Sequence, residues 1–452
     1  MSYYEIAHWS LCLLSTATLI YVGLFHKSML IKPSFAVLGL FNLKIQWAAA
    51  LDGASIYRTL QEPWDFLLLA QVFPVLAMVV SLASFRATAQ VVFHRATLLT
   101  DHDCRTIPPK AFVAFASLIG MILAWYLWVV PLNETGLYAI VFDHERSDFA
   151  REASLATAGG AGLRYSVSFM LSVFCPLFTI LTVFRITATP RAKWRRRMLL
   201  IAFVTGSVII VSLTGERSRA VVLLATLFVA HFIRRGLTVK PLKIAIAVFG
   251  VLLLPVLLTI LREGKEVSLE SLFYYYPHLF ARAFHGPMYT GTVYAEYVNN
   301  HGFFGVAGIP KLALLFGVEP INVPNLIGLM HEGDAIDSVA MNTCFVFHYY
   351  SCFGLNVLIP CLLLLLALDS ILIMYLRLRR EFMVACMATV SFSVTKLADT
   401  TYTTVLMTHG TLAALAVCYW LNSLSVSRRS RRRLSTGLSQ PRTTAIRTNQ
   451  AR

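Results

Sequence analysis

Near the middle of the chain, Ser212-Leu213-Thr214-Gly215-Glu216-Arg217-Ser218-Arg219-Ala220 sets one carboxylate and two guanidinium groups between two strongly apolar runs. Gly215 permits a tight turn, and Ser218 can cap the helix that follows. Free N–H groups at that helix start, with Arg217 and Arg219 beside them, would form a site for an anion. A guanidinium fork binds two oxygens at once and so suits phosphate. The same residues also fit a plain hairpin whose arginines reach lipid headgroups or pair with Glu216.

Two further groups follow. Arg262-Glu263-Gly264-Lys265-Glu266 leads into Phe273-Tyr274-Tyr275-Tyr276-Pro277-His278, then Arg282, His285 and Tyr289. Aromatic faces of this kind hold sugar rings, and they also belong at the level of lipid headgroups. Arg282 and His285 are spaced to share a helix face. Later, His331-Glu332-Gly333-Asp334 and Asp337 form an acidic patch ahead of His348, Tyr349 and Tyr350. A carboxylate or His there could take a proton from an acceptor hydroxyl. Glu332 and Asp334 have the shape of an acid pair that holds metal in some glycosyltransferases, and equally that of a solvated loop. Asp101-His102-Asp103 has the same shape but sits among Arg and Lys, where it reads as charge balance. There is no Walker loop, no Gly-x-Ser-x-Gly elbow, no His-Glu-x-x-His and no dinucleotide fingerprint. Any reaction must therefore use an already activated substrate.

The elements that position these groups are read from composition. The 452 residues are 57% hydrophobic and 14% charged, against about 25% charged in soluble domains. Repeated apolar runs near 20 residues predict an all-α polytopic membrane protein of about 11 transmembrane helices. The spans fall near 5–25, 34–50, 64–84, 111–131, 161–184, 198–214, 218–233, 244–261, 354–376, 382–398 and 403–424. Together they form a single transmembrane domain over 1–424, followed by a basic, disordered tail over 425–452. The first run has no basic residue before it and reads as a retained span rather than a signal peptide.

Most of the 39 Lys and Arg fall in alternate loops and in the tail. By the positive-inside rule that side is cytoplasmic. The net charge of +16 is thus a topology signal and an attraction to anionic lipid, not a nucleic-acid footprint. Two large loops, about 132–160 and 262–353, fall outside, and Gly302–Gly317 within the second reads as re-entrant or interfacial. The eight Cys are scattered, five of them within apolar runs, and read as small apolar fillers. Cys344 and Cys352 would lie about 12 Å apart on one helix, too far to bridge. Lys44, Asp369, Lys396 and Asp399 are ionisable within spans and are functional suspects for that reason. Lys396 and Asp399 are spaced to pair with each other, and Asp369 to pair with the Arg377 cluster.

The pattern resembles the Wzy-type O-antigen and oligosaccharide repeat-unit polymerases. The short turn Gly215-Glu216-Arg217-Ser218, followed by an apolar span and the basic step His231-Phe232-Ile233-Arg234-Arg235-Gly236, is similar to the family's Gly-Arg turn. One more span then leads to a long loop, where Arg282 in Phe280-Ala281-Arg282-Ala283-Phe284 resembles the family's loop arginine. Tyr349-Tyr350-Ser351-Cys352-Phe353-Gly354 resembles the family's approach to the next span, with Cys352 where many members have Asp. The resemblance covers roughly 200–425, and the first half of the chain matches by topology alone.

It implies a GT-C-like glycosyltransferase in the bacterial inner membrane with its site facing the periplasm. The donor would be an undecaprenyl-pyrophosphate-linked glycan and the acceptor a second lipid-linked repeat unit. Pyrophosphate is a good leaving group, so cations and a base suffice, with no metal or cofactor. Catalytic residues would be Arg217, Arg282, Glu216 and Asp334. Arg219, Arg262, Lys265, His285, Tyr289, His331, His348 and Tyr349 would bind substrate. The implied partners are these lipid-linked glycans, membrane lipid and a chain-length regulator, with no nucleic acid. An O-antigen ligase using the same donor, or a lipid-linked oligosaccharide flippase, would share the same topology.

Overall fold

In hydrocarbon every backbone N–H and C=O must be satisfied within its own segment, so long apolar runs fold as helices. A computed structural model describes residues 3–52, 60, 63–105, 107–143, 161–190, 192–238, 249–250, 253, 255–261, 263–332 and 341–437. Among them are helices and turns, with no strand. Eight helices are long and apolar enough to cross a membrane: Tyr3–Phe25, Pro33–Asp52, Trp64–Ala83, Pro109–Val129, Gly162–Ala188, Phe345–Tyr375, Arg380–Ala398 and Tyr402–Ser425. These coincide with eight of the expected spans. The sixth and seventh expected spans are the helices Lys193–Val211 and Arg217–Arg234, whose ends carry several charges. Eight of the eighteen residues of the eighth, 244–261, lie outside the described residues.

Three π-turns widen the helices, over Asn42–Gln46, Leu68–Val72 and Met170–Phe174. Two of them stand just before Pro74 and Pro176. A proline inside a helix has no N–H to donate, and its ring crowds the carbonyl four residues back. A π-turn at that carbonyl relieves the crowding. The third π-turn has no proline and carries Lys44.

Arg380–Ala398 is the central helix. It packs against Arg217–Arg234, Cys175–Ala188, Pro33–Phe41 and the C-terminal helix. Small side chains (Ala385, Cys386, Ala388) are fully or almost fully buried there and let neighbouring backbones approach closely. Its buried hydroxyls are satisfied: Thr389 bonds the Ala385 carbonyl at 3.0 Å and Ser393 shares a bond with Thr411 at 2.7 Å. All eight Cys are free and buried, as fillers would be.

One fully buried ion pair ties the first and last parts of the bundle. Lys32 lies 3.0 Å from Asp369, and both side chains have zero exposure. The Ser34 backbone N–H and hydroxyl also donate to Asp369, at 3.0 and 2.8 Å. Asp369 therefore pairs with Lys32, not with the Arg377 cluster expected from spacing. Lys32 reaches it because the helix beginning at Pro33 packs directly on Leu358–Asp369.

At the basic end, Arg95 donates to the Leu376 and Leu378 carbonyls. Asp101 pairs with Arg234, and Asp103 lies 3.7 Å from Arg380. Loops that were grouped by charge thus meet in space. Gly302–Gly317 forms a turn and a short helix, Pro310–Leu315, too short to cross. Leu314, Leu315 and Phe316 are largely exposed there, as in a segment lying in an interface.

Candidate active site

The turn before Arg217–Arg234 is held by a close backbone contact. Leu137 N–H bonds the Leu213 carbonyl at 3.1 Å. Gly215 has φ +73°, and a Cβ on Gly136 would lie 2.4 Å from the Thr214 carbonyl oxygen. Only glycine fits at Gly136, and Gly215 needs the left-handed backbone that glycine adopts freely. Gly136→Ala should force the two segments apart and cost about 1–3 kcal/mol, read as a lowered Tm of the detergent-solubilised protein. An unchanged Tm would contradict this account of the turn.

Glu216 follows this turn. Its carboxylate accepts from Ser218 at 2.9 Å and pairs with Arg219 Nε at 2.5 Å. Burial opposes its ionisation, but the Arg219 charge and the hydrogen bonds from Ser218 and Arg219 outweigh it, leaving the carboxyl below the usual glutamate range. A group with a lowered pKa stabilises the fold above its ordinary value and loses that contribution only as pH falls through the lowered one. Mild acid should therefore leave the turn intact, and Glu216→Gln should change stability at neutral pH, with the difference vanishing as pH falls through the lowered value. Thermal unfolding of both proteins across pH checks this. Both carboxylate oxygens are engaged: Oε1 accepts from Ser218 and Oε2 from Arg219.

In front of Glu216 opens a cavity of about 860 Å³. Arg282 reaches it from the helix Leu269–Phe284, Lys44 from the π-turn, and Lys396 and Asp399 from the end of the central helix. Lys44 lies 2.5 Å from Asp399, and Lys396 lies 3.9 Å from the other carboxylate oxygen. The expected Lys396–Asp399 pair is thus the looser of the two. Arg282 is exposed and makes no ion pair among the described residues. Below lies a smaller chamber of about 80 Å³, lined by Arg219, Lys396, His409 and Ser393 among others. Arg219 Nη1 is buried there without a hydrogen-bond partner among the described residues. Four cations from four elements thus surround two carboxylates, a balance that leaves room for an anion.

The other expected site residues scatter. Lys265 lies with Tyr275, His278 and Arg282 in an adjoining cleft of about 400 Å³. His285 pairs with Asp52 at 2.8 Å. Tyr289 and His331 share a hydrogen bond of 2.9 Å on the surface. His348 and Tyr349 are buried in Phe345–Phe353, and His348 Nε2 meets the Gly308 carbonyl at 3.1 Å. Arg262, Asp334 and the side chains of Arg217 and Glu332 lie outside the described residues. No three His, Cys, Asp or Glu converge as a metal centre would require, among the described residues.

Lys44, Lys396 and Asp399 were marked by their charge within spans, but nothing in the sequence placed them beside Glu216. His409, on the chamber wall, carried no signal beyond its type.

Fold and site together define an all-α membrane protein with a cation-rich cavity at one end of its bundle. No family model, no curated protein and no solved structure matches the chain.

Proposed function

We propose that the protein is a membrane glycosyltransferase that polymerises undecaprenyl-pyrophosphate-linked repeat units on the periplasmic face of the inner membrane. The observation that carries this reading is the convergence of Arg282, Lys44, Lys396 and Arg219 on the cavity and its inner chamber. Its volume, about 860 Å³, falls in the range of sites that enclose small ligands.

The chemistry follows from the charges. An acceptor hydroxyl attacks the anomeric carbon of the donor, the bond from that carbon to the phosphate oxygen breaks, pyrophosphate leaves with the bonding pair, and the hydroxyl proton passes to the departing phosphate or to water. Fixed cations stabilise that departing charge without reorganising. Arg282, unpaired among the described residues and exposed, offers its fork to the phosphate oxygens. Asp399 holds Lys44 and Lys396 at working distance, and Glu216 does the same for Arg219.

A transporter reading has less support. At the basic end Arg95, Arg234 and Arg380 are held by carbonyls and carboxylates, and Lys32–Asp369 is sealed from solvent. Neither contributes to a charged passage through the bundle.

Purified protein in nanodiscs, given lipid-linked repeat units, should release lipid pyrophosphate and build lipid-linked polymer. Lys396→Ala should slow this about tenfold or more, since one cation of several is lost. Polymerisation at the wild-type rate in Lys396→Ala would remove that residue from the site.

A further inference from the structure

A second cavity, of about 250 Å³, adjoins the first along the chain: Asp399 lines one and Thr400 the other. Its lining differs in kind. Asn322, Asn342, Thr343, His348, Thr400 and Thr403 contribute to it beside apolar Ile309, Ile321 and Val323, and among the described residues no carboxylate does. Among the described residues Lys311 is its one cation, and its ammonium lies 3.0 Å from the Met407 sulfur. The side chains of Asn322, Asn342 and Thr400 make no hydrogen bond among the described residues. Thr343, by contrast, is committed to the Pro287 carbonyl at 3.1 Å, and Thr401 to Thr404 at 2.8 Å.

We infer that this cavity is a binding site for a neutral sugar residue. Hydroxyls and amides both donate and accept, and so match the hydroxyls of a pyranose, each of which does the same. An anion would find one ammonium and no fork. An acyl chain would leave the polar lining unpaired, at a cost for each group. The volume lies just below the range usual for drug-sized ligands, which suits one or two sugar rings rather than a whole repeat unit. Part of the lining is rigid: His348 is buried, bonded to the Gly308 carbonyl, and set on a helix whose residues from Phe345 to Cys352 are all buried.

The inference rests on the proposed glycosyl transfer, and it assigns the sugar to a place apart from the pyrophosphate. A glycan held here reaches the charged cavity past Thr400 and Asp399. Both the donor and the acceptor offer this chemistry.

Binding to full-length protein in nanodiscs tests it, by saturation-transfer NMR with the neutral repeat-unit oligosaccharide released from the cell's own surface polysaccharide. Inorganic pyrophosphate is the second probe. Asn322→Leu, at an exposed edge, and Thr400→Val should each weaken oligosaccharide binding about tenfold, as for one or two lost hydrogen bonds. Pyrophosphate binding should be unchanged in both. Arg282→Ala should do the reverse. Added lipid-linked polymer displaces the oligosaccharide if the donor glycan fills the cavity and leaves it bound if the acceptor does. Either outcome supports a sugar site. Oligosaccharide that fails to bind wild type, or binds both variants as well as wild type, overturns the inference. Loss of pyrophosphate binding alone in wild type would count against the proposed transferase and leave the sugar site standing.

Discussion

Arg282→Ala should lower polymer formation by about 100-fold or more, the loss typical of removing a preorganised donor from a transition state. Arg282 is exposed on the rim of the charged cavity, so its truncation should leave membrane insertion and Tm unchanged. Arg282→Lys should recover only part of the activity, because an ammonium keeps the charge and loses the two-point fork. Arg217→Ala should also abolish chain extension if the hairpin supplies a second fork. Rates measured with lipid-linked repeat units check all three variants. Wild-type rates in both Ala variants would detach the arginines from the chemistry.

Asp369→Ala should have the largest effect on stability. It leaves the Lys32 ammonium buried beside the Ser81 and Ser84 carbonyls with no counter-charge. Breaking a buried pair from one side costs about 3–5 kcal/mol, whereas replacing both partners with apolar groups is often nearly neutral. The Lys32→Met, Asp369→Leu double variant should therefore recover most of the stability lost in the single one. Thermal unfolding in detergent compares them. A double variant as unstable as Asp369→Ala would show that the serines, not the lysine, set the cost. Because the pair is remote from the charged cavity, the double variant should also retain polymerisation.

Eight of the spans were legible because each is a local property: a run of apolar residues long enough for the bilayer. The turn at Gly215 was legible for the same reason, but its cap was not: Glu216, not Ser218, precedes the helix as its N-cap, and the Ser218 hydroxyl, inside the first turn, donates to the Glu216 carboxylate. The start of the ninth span was not. His348, Tyr349 and Tyr350 read as loop residues, yet helix begins at Phe345 and buries all three. Their polar tips find partners inside: Tyr350 OH donates to Asp65 at 2.7 Å, and His348 meets the Gly308 carbonyl. Once satisfied, an aromatic with a polar tip is at home in a core. Nothing local signals a partner that far away.

The charged cavity shows the same limit. Lys44 and Asp399 are 355 residues apart, and only the packing of Pro33–Asp52 on the central helix joins them. Spacing arguments favour neighbours, and so predicted Lys396 for Asp399 and the Arg377 cluster for Asp369. In both cases a lysine of one early helix, Lys44 or Lys32, made the closer contact. Those two lysines lie about 18 Å apart along that helix. One pin joins the charged cavity to the bundle and the other seals the opposite end.

The central claim is that the cavity beside Glu216 joins lipid-linked repeat units. Its most direct test is the surface polysaccharide of a deletion strain carrying either the wild-type gene or Arg282→Ala, resolved on a gel. The account predicts a full ladder with wild type and, with Arg282→Ala, lipid core bearing a single repeat unit and no ladder. Bare core with lipid-linked polymer accumulating would contradict it in favour of a ligase. Bare core with single repeats trapped on the cytoplasmic face would contradict it in favour of a flippase.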